Sequence, residues 1–363
     1  MPYSWRLFRP VLLVAVAATM IFALAVPVGL AQDDETQPVV VQGTPELEAL
    51  VSAIRDAYAA QDEGADVQID TSGGLRAAFE GLCNGDVDVV MSTGPISDAQ
   101  IQACADRGKG FVEVALAYEA LALLAAPQAG LTCLAQSVVS DAWQLGAAAD
   151  LTWADLGSQT LSDPVAFYGP EAQSRAALLF ASLVPAGALR DGIETPGDSA
   201  ALLAKVQEEG AGAFAYMMLA DLAAADPDGV VVPLQVQDAA GACIAPEVET
   251  LAERTYPLAR TDYLYINAES AARPEVQAFV EFALTGDGGV TAQGPALGYT
   301  PADAATYETG LANLLAAKTG RTFSRPISPI QVDAATEGTL TVTGTAMLYD
   351  LVRRIESQFT AQY

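Results

Sequence analysis

Between residues 39 and 91 the apolar positions follow two alternating rhythms. Val39-Val40-Val41 is a β-branched run, Gly43-Thr44-Pro45 interrupts it, and Leu47, Leu50, Val51, Ile54 and Tyr58 follow at helical spacing. The unit then recurs. Val67-Gln68-Ile69 predicts extended chain and Thr71-Ser72-Gly73-Gly74 a turn, while Leu75, Ala78, Phe79 and Leu82 line one face of a helix ending near Asn84-Gly85. Val87-Asp88-Val89-Val90-Met91 predicts another buried strand. Strand, turn and helix in alternation predict an α/β fold with parallel strands, and in such folds ligands meet the loops that follow the strands.

Further along, the pattern is less regular. Val112 to Ala126 is alanine-rich and reads as an extended crossover between two lobes, although Ala115 to Ala126 also suits a helix. Strands are predicted around Val165-Ala166-Phe167-Tyr168, over Gly210 to Tyr216 and over Val230 to Val236, the last two in the same lobe. A turn at Gly169-Pro170 precedes a helix from Ser174. Tyr263-Leu264-Tyr265-Ile266 predicts a strand near the return crossover, and Pro274 to Leu284 an amphipathic helix. Ser324-Arg325-Pro326-Ile327-Ser328-Pro329 reads as a linker, part of a segment spanning 323–340.

Beyond that linker, Val342-Thr343-Gly344-Thr345 with Leu348, Leu351, Val352, Ile355 and Phe359 repeats Val41-Gln42-Gly43-Thr44 with Leu47, Leu50, Val51, Ile54 and Tyr58, without a gap. Residues 341–363 thus read as the start of a second, truncated copy. A chance match of two strand-turn-helix units is the alternative.

Composition and charge narrow the compartment and the chemistry. Arg6 and Arg9 precede a nearly unbroken apolar stretch from Val11 to Leu30, and Gly29-Leu30-Ala31 supplies small residues, so 1–31 reads as an export signal or an uncleaved membrane anchor. Gln32 to Pro38 is a polar, acidic lead. The four cysteines of an exported chain suit two disulfides in any of three connectivities, with Cys83–Cys104 and Cys133–Cys243 preferred and buried free thiols as the other reading. A formal charge of -28 argues against binding nucleic acid or anionic lipid, and an anionic solute would need local donors to overcome that field. The chain contains no histidine, which removes Ser-His-Asp and Cys-His catalysis and the usual histidine-containing zinc sites.

Several segments carry a family resemblance. The run Phe79-Glu80-Gly81-Leu82-Cys83-Asn84-Gly85-Asp86-Val87-Asp88-Val89, then Ser92-Thr93-Gly94-Pro95-Ile96, resembles the phosphate-binding component of phosphate ABC importers. Tyr168-Gly169-Pro170 with Ser174 resembles that family's second-lobe ligand loop. Ala242 to Thr250 and Thr255-Tyr256-Pro257-Leu258-Ala259-Arg260 resemble its return segment. The resemblance implies a type II periplasmic-binding-protein fold, an α/β fold of two lobes with a hinge and an interlobe cleft, over residues 39–322. The first lobe would take about 39–120 and 260–322, and the second about 121–259. It also implies an extracytoplasmic monomer that needs no metal or other cofactor and delivers its ligand to an ABC permease.

By the same resemblance, Gly43 and Thr44 fall on the first anion loop, Ser72, Gly73 and Gly74 on the second, Ser92 and Thr93 on the third, and Ser174 on the fourth, across the cleft. Hydroxyls and glycine amides at helix starts suit an oxyanion, although a Ser or Thr before a helix also serves as an ordinary N-cap. The loops depart from the family pattern. Pro45 and Glu46 replace donors with an imino acid and a negative charge, Thr93 stands where the family has a charged residue, and Arg175 enters the fourth loop. Arg175 would either bind the anion or fill the site with its own side chain. Two functions follow: capture of phosphate or a similar oxyanion by lobe closure, or a degenerate binding-protein domain used in surface sensing, adhesion or scaffolding. With no activated nucleophile apparent, a hydrolase is disfavoured.

Overall fold

A computed structural model describes residues 37–61, 65–184 and 186–324, together with Val352 and Arg353. The export segment 1–31, most of the 32–38 lead, the linker beyond Ser324 and nearly all of the repeat at 341–363 lie outside the described residues.

Strand β1 (Val39–Gly43), helix α1 (Glu48–Ala59), β2 (Val67–Asp70), α2 (Gly74–Asn84), β3 (Val89–Ser92) and α3 (Asp98–Ala105) form the first alternating units. The three strands are parallel, with β1 between β2 and β3. In α1 the buried residues are Leu50, Val51, Ile54 and Tyr58, the stripe that the helical spacing singled out. Its Tyr58 ring packs 5.6 Å from Phe279 and 5.2 Å from Phe282. Helix α2 ends on Gly85 at φ 88, a left-handed cap that favours glycine. Helix α3 begins with a reciprocal capping box between Ser97 and Gln100.

Strand β4 (Phe111–Ala125) is the extended crossover, and all but the last of its 15 residues are buried. An alanine-rich sequence can form such a strand because both edges are paired and both faces covered. The chain then continues through β5 (Cys133–Leu134), α4 (Gln136–Trp143), β6 (Ala166–Tyr168), α5 (Arg175–Leu183), α6 (Ser199–Glu209), β7 (Ala213–Met218), α7 (Leu219–Ala225), β8 (Gln235–Gln237), β9 (Cys243–Ile244) and α8 (Val248–Ala252). It returns through β10 (Ala259–Asn267) and ends with α9 (Pro274–Thr285), α10 (Val290–Gln293), β11 (Thr300–Pro301) and α11 (Ala304–Leu315). Among the described residues no helix is long and apolar enough to cross a membrane.

The main sheet runs β2-β1-β3-β10-β4-β7-β6, with β11 also on β4. Residues Phe111 to Ala120 of β4 pair antiparallel with β10, whereas Leu121 to Ala125 pair antiparallel with β7. One strand therefore serves the sheets of both lobes. Trp143 centres the second lobe's core, with its ring 5.0–5.4 Å from those of Phe167, Phe180, Phe214 and Tyr216. Burying aromatic surface of this kind stabilises by roughly 1.5–3 kcal/mol per side chain.

Both preferred disulfides are formed. Cys83–Cys104 joins α2 to α3, and Cys133–Cys243 joins β5 to β9 across the small sheet β5-β8-β9.

Some predicted strands move. Gly210–Gly212 is a 3-10 turn, and the strand begins at Ala213. Of Val230 to Val236 only the last two residues belong to a strand, which lies in the small sheet, and Val230 and Val232 are 75% and 77% exposed. An apolar run with no partner edge is left as loop. The strand predicted over Val87 to Met91 spans Val89–Ser92, because Asp88 is used otherwise: its carboxylate accepts from Val40 N–H at 2.8 Å, Ser270 Oγ at 2.6 Å and Arg273 at 2.8 Å. Phe323 and Ser324, at the start of the predicted linker, are anchored instead. Buried Glu113 accepts the N–H groups of Thr322, Phe323 and Ser324 at 2.9, 2.6 and 2.7 Å.

Candidate functional site

The first-lobe loops converge where β1 and β3 end. Gly43 has φ +154, and a Cβ there would lie 2.0 Å from the Met91 carbonyl oxygen, so only glycine lets β1 approach β3 this closely. Thr44 follows, 6% exposed, with its N–H donating to Met91 O at 3.1 Å and its hydroxyl to Glu46. Ser92 is 1% exposed and donates to Gly94 O at 2.8 Å. Ser72 and Gly73 lie on the surface, where Ser72 N–H donates to Asp70 at 2.9 Å, and Gly74 turns the chain at φ +65. Ser174 is an N-cap: its hydroxyl accepts Ala177 N–H at 3.2 Å.

Arg175 leaves the first turn of α5 and meets the crossover strands. In the β10–β4 ladder Arg260 stands opposite Glu119 and Asp262 opposite Ala117, so Glu119, Arg260 and Asp262 project from one face. Glu119 and Asp262 are fully buried. Arg260 Nε pairs with Glu119, and Arg175 Nε lies 3.4 Å from the same carboxylate. The Arg175 guanidinium carbon also sits 3.5 Å from the centroid of the Tyr299 ring, whose hydroxyl donates to Glu46 O at 2.8 Å. Thr44, Glu46, Tyr299, Arg175, Glu119 and Arg260 thus form one connected set.

Within this set the charges are not fully matched. Burial, reinforced by the charge of Glu119, holds the Asp262 carboxyl well above the usual carboxylate range despite Arg260 and Arg175. The same burial favours the protonated form of Asp262 over the carboxylate. Both its oxygens, with Glu119 Oε1 and Arg175 Nη2, are buried without a hydrogen-bond partner.

Thr93 faces a cavity of about 270 Å³ beside this set. Its walls include Thr93, Gly94 and Pro95 of the third loop and Arg254, Arg260, Thr261 and Tyr263 of the return segment. The structure thus places Thr93 with Arg254 and Arg260 and links Thr44 to Arg175 through Glu46 and Tyr299, whereas Ser72, Gly73, Gly74 and Ser174 have no contact of their own in either arrangement.

Comparison with known proteins gives these features a context. The chain matches the PBP superfamily domain over residues 30–287, well over half its length. It belongs to that superfamily. Among its relatives, Protein SphX of Synechococcus elongatus is 22% identical over 291 residues, 79% of this chain and 84% of the relative. A solved structure described as a possible phosphate binding protein from Planctomyces limnophilus superposes with a TM-score of 0.64 at 20% identity, covering 78% of this chain and 99% of that one. An ABC-type phosphate transport receptor from Vibrio cholerae superposes with a TM-score of 0.53 at 16% identity, covering 73% and 99%. These likenesses show the type II periplasmic-binding-protein fold expected from the sequence.

Glu119, Arg254, Arg260, Asp262 and Tyr299 were not candidates from sequence. Glu119 did carry a signal, since it and Glu113 are carboxylates in an otherwise apolar strand. Arg260 lies inside a segment that supported the resemblance, without a role assigned. Tyr299 and Asp262 carry no local mark, because only strand pairing brings them to the crossover.

Proposed function

We propose that this chain captures phosphate or a similar small oxyanion outside the cytoplasm and hands it to an ABC permease, by closure of its two lobes and without bond chemistry. One observation carries the reading. In a chain of formal charge -28, Arg254 and Arg260 line one cavity with the hydroxyl of Thr93, and Arg175 meets the same buried Glu119 as Arg260. Local cationic donors are what an anion needs against an unfavourable overall field. The names of the Vibrio and Planctomyces structures, which share the fold, support the same ligand class.

Thermal unfolding with phosphate, sulfate and molybdate tests this. A ligand at a hundred times its Kd stabilises the folded state by about 2.7 kcal/mol, so phosphate is expected to raise Tm. A flat response to all three overturns the reading.

A second reading has its own observation. Thr44 is engaged by Glu46, and Arg175 by Glu119 and Tyr299, so part of the cleft is already satisfied without a solute. This favours a binding-protein domain used for sensing, adhesion or scaffolding, and the same flat response would support it.

A further inference from the structure

We infer that the captured oxyanion lodges in the cavity between Thr93-Gly94-Pro95 and the return segment, held by Arg254 and Arg260, while Arg175 acts as an interlobe tether and does not bind it. This rests on the proposed capture of an oxyanion and assigns its place.

The other candidate hydroxyls are committed. The Thr44 and Ser92 hydroxyls donate to Glu46 and to Gly94 O, and Ser174 caps its own helix. An anion beside Arg175 would face Glu119, which pairs with its Nε from a fully buried position, and also Asp221, whose carboxyl feels the same guanidinium. The cavity offers the reverse balance. No carboxylate is among its lining residues, and Arg254, Arg260, Thr93, Thr261 and Tyr263 all are. Burial pushes the Tyr263 hydroxyl up to about 12, so it remains a donor at any physiological pH.

Arg254 is an uncommitted cation of the cavity wall. Among the described residues its guanidinium makes no ion pair or hydrogen bond, whereas Arg260 uses only Nε on Glu119 and keeps both Nη atoms for a second partner. The Arg254 backbone is also unusual. It lies at φ 56, just past the end of α8, where a left-handed residue closes the helix and glycine fits without steric cost. Its N–H donates to Leu251 O at 3.0 Å, which fixes that turn, and the residue lines the cavity. An arginine kept where glycine is easier points to a task for its side chain.

Two forked guanidiniums approaching from one segment, with the hydroxyls of Thr93 and Thr261 on the same cavity wall, match a tetrahedral oxyanion with two or more charged oxygens. Arg254 would then supply the charge that Thr93 lacks.

Calorimetric titration with inorganic phosphate, on the full chain and on Arg254→Gly and Arg175→Gln, decides the matter. The expected result is at least a tenfold weaker phosphate Kd for Arg254→Gly, whose ligand-free Tm is unchanged or higher because glycine relieves the left-handed strain. A purely structural arginine would instead lower that Tm. Arg175→Gln is expected to keep phosphate affinity within about threefold. Wild-type affinity in Arg254→Gly, or loss of binding confined to Arg175→Gln, overturns the assignment while leaving capture intact. No phosphate binding by the unmodified chain overturns both.

Discussion

Arg175, at the start of α5, stacks its guanidinium 3.5 Å from the ring centroid of Tyr299, which lies just before β11 on the first-lobe side. Its Nε lies 3.4 Å from buried Glu119, so a single side chain joins the second lobe to both a ring and a carboxylate. Removing a partner from such a pair leaves a buried charge uncompensated, which costs more than the pair itself contributes. Arg175→Ala is expected to lower stability by about 3 kcal/mol, the low end for a broken buried pair because the side chain retains 22% exposure. Urea unfolding checks this. In the double variant Arg175→Ala/Glu119→Gln the losses should add to less than their sum.

Gly43 and Gly74 make opposite predictions under the same substitution. At Gly43 an added Cβ meets the Met91 carbonyl oxygen at 2.0 Å, and backbone cannot yield cheaply. Gly43→Ala should cost at least about 3 kcal/mol. At Gly74 the φ of +65 is unfavourable for alanine, but nothing lies within 4 Å, so Gly74→Ala should cost only about 1 kcal/mol. Denaturation midpoints of the two variants give the contrast directly.

Asp262 should make the protein less stable as pH rises. In the unfolded chain it ionises near the ordinary aspartate value, about 3.9. In the folded chain burial and the adjacent Glu119 charge raise its pKa and favour the protonated form, against the pull of Arg260 and Arg175. Its contribution is fully present below the unfolded value and declines as pH climbs toward the raised folded one. Asp262→Asn is expected to raise Tm at pH 7 and to change it little at pH 4. Equal shifts at both pH values would remove titration as the cause.

The two disulfides should differ in weight. Cys83–Cys104 closes a separation of 21 residues and Cys133–Cys243 one of 110. On loop-closure entropy these contribute about 3 and about 5 kcal/mol. The paired serine variants, compared by thermal unfolding, should rank in that order, with the Cys133/Cys243 pair the more damaging.

Much of the first lobe was legible in the sequence because each unit satisfies a local rule. The stripe Leu50, Val51, Ile54, Tyr58 is a helical face wherever it docks, and Gly85 ends a helix by its own backbone freedom. The return segment was visible as motif and the crossover as a long apolar run. Arg175 was legible as an intrusion into a loop, but its partner was not, since Glu119, Arg260, Asp262 and Tyr299 meet only through strand pairing across more than a hundred residues. Periodicity reports which face a residue shares, and a buried charge cluster is a property of several strands at once. The run from Val230 failed for a related reason: apolar residues predict a strand only where an edge is available to pair with them.

The pairing of β4 sets how the molecule comes apart. Its first part belongs to one sheet's hydrogen bonding and its second to the other's, with no loop between at which the lobes could be separated. A fragment cut after residue 120 would carry β4 without β10 beside it, leaving an apolar strand edge free to recruit another chain. Isolated lobes of this protein are aggregation hazards rather than miniature domains, and melting of either lobe strips partners from the other.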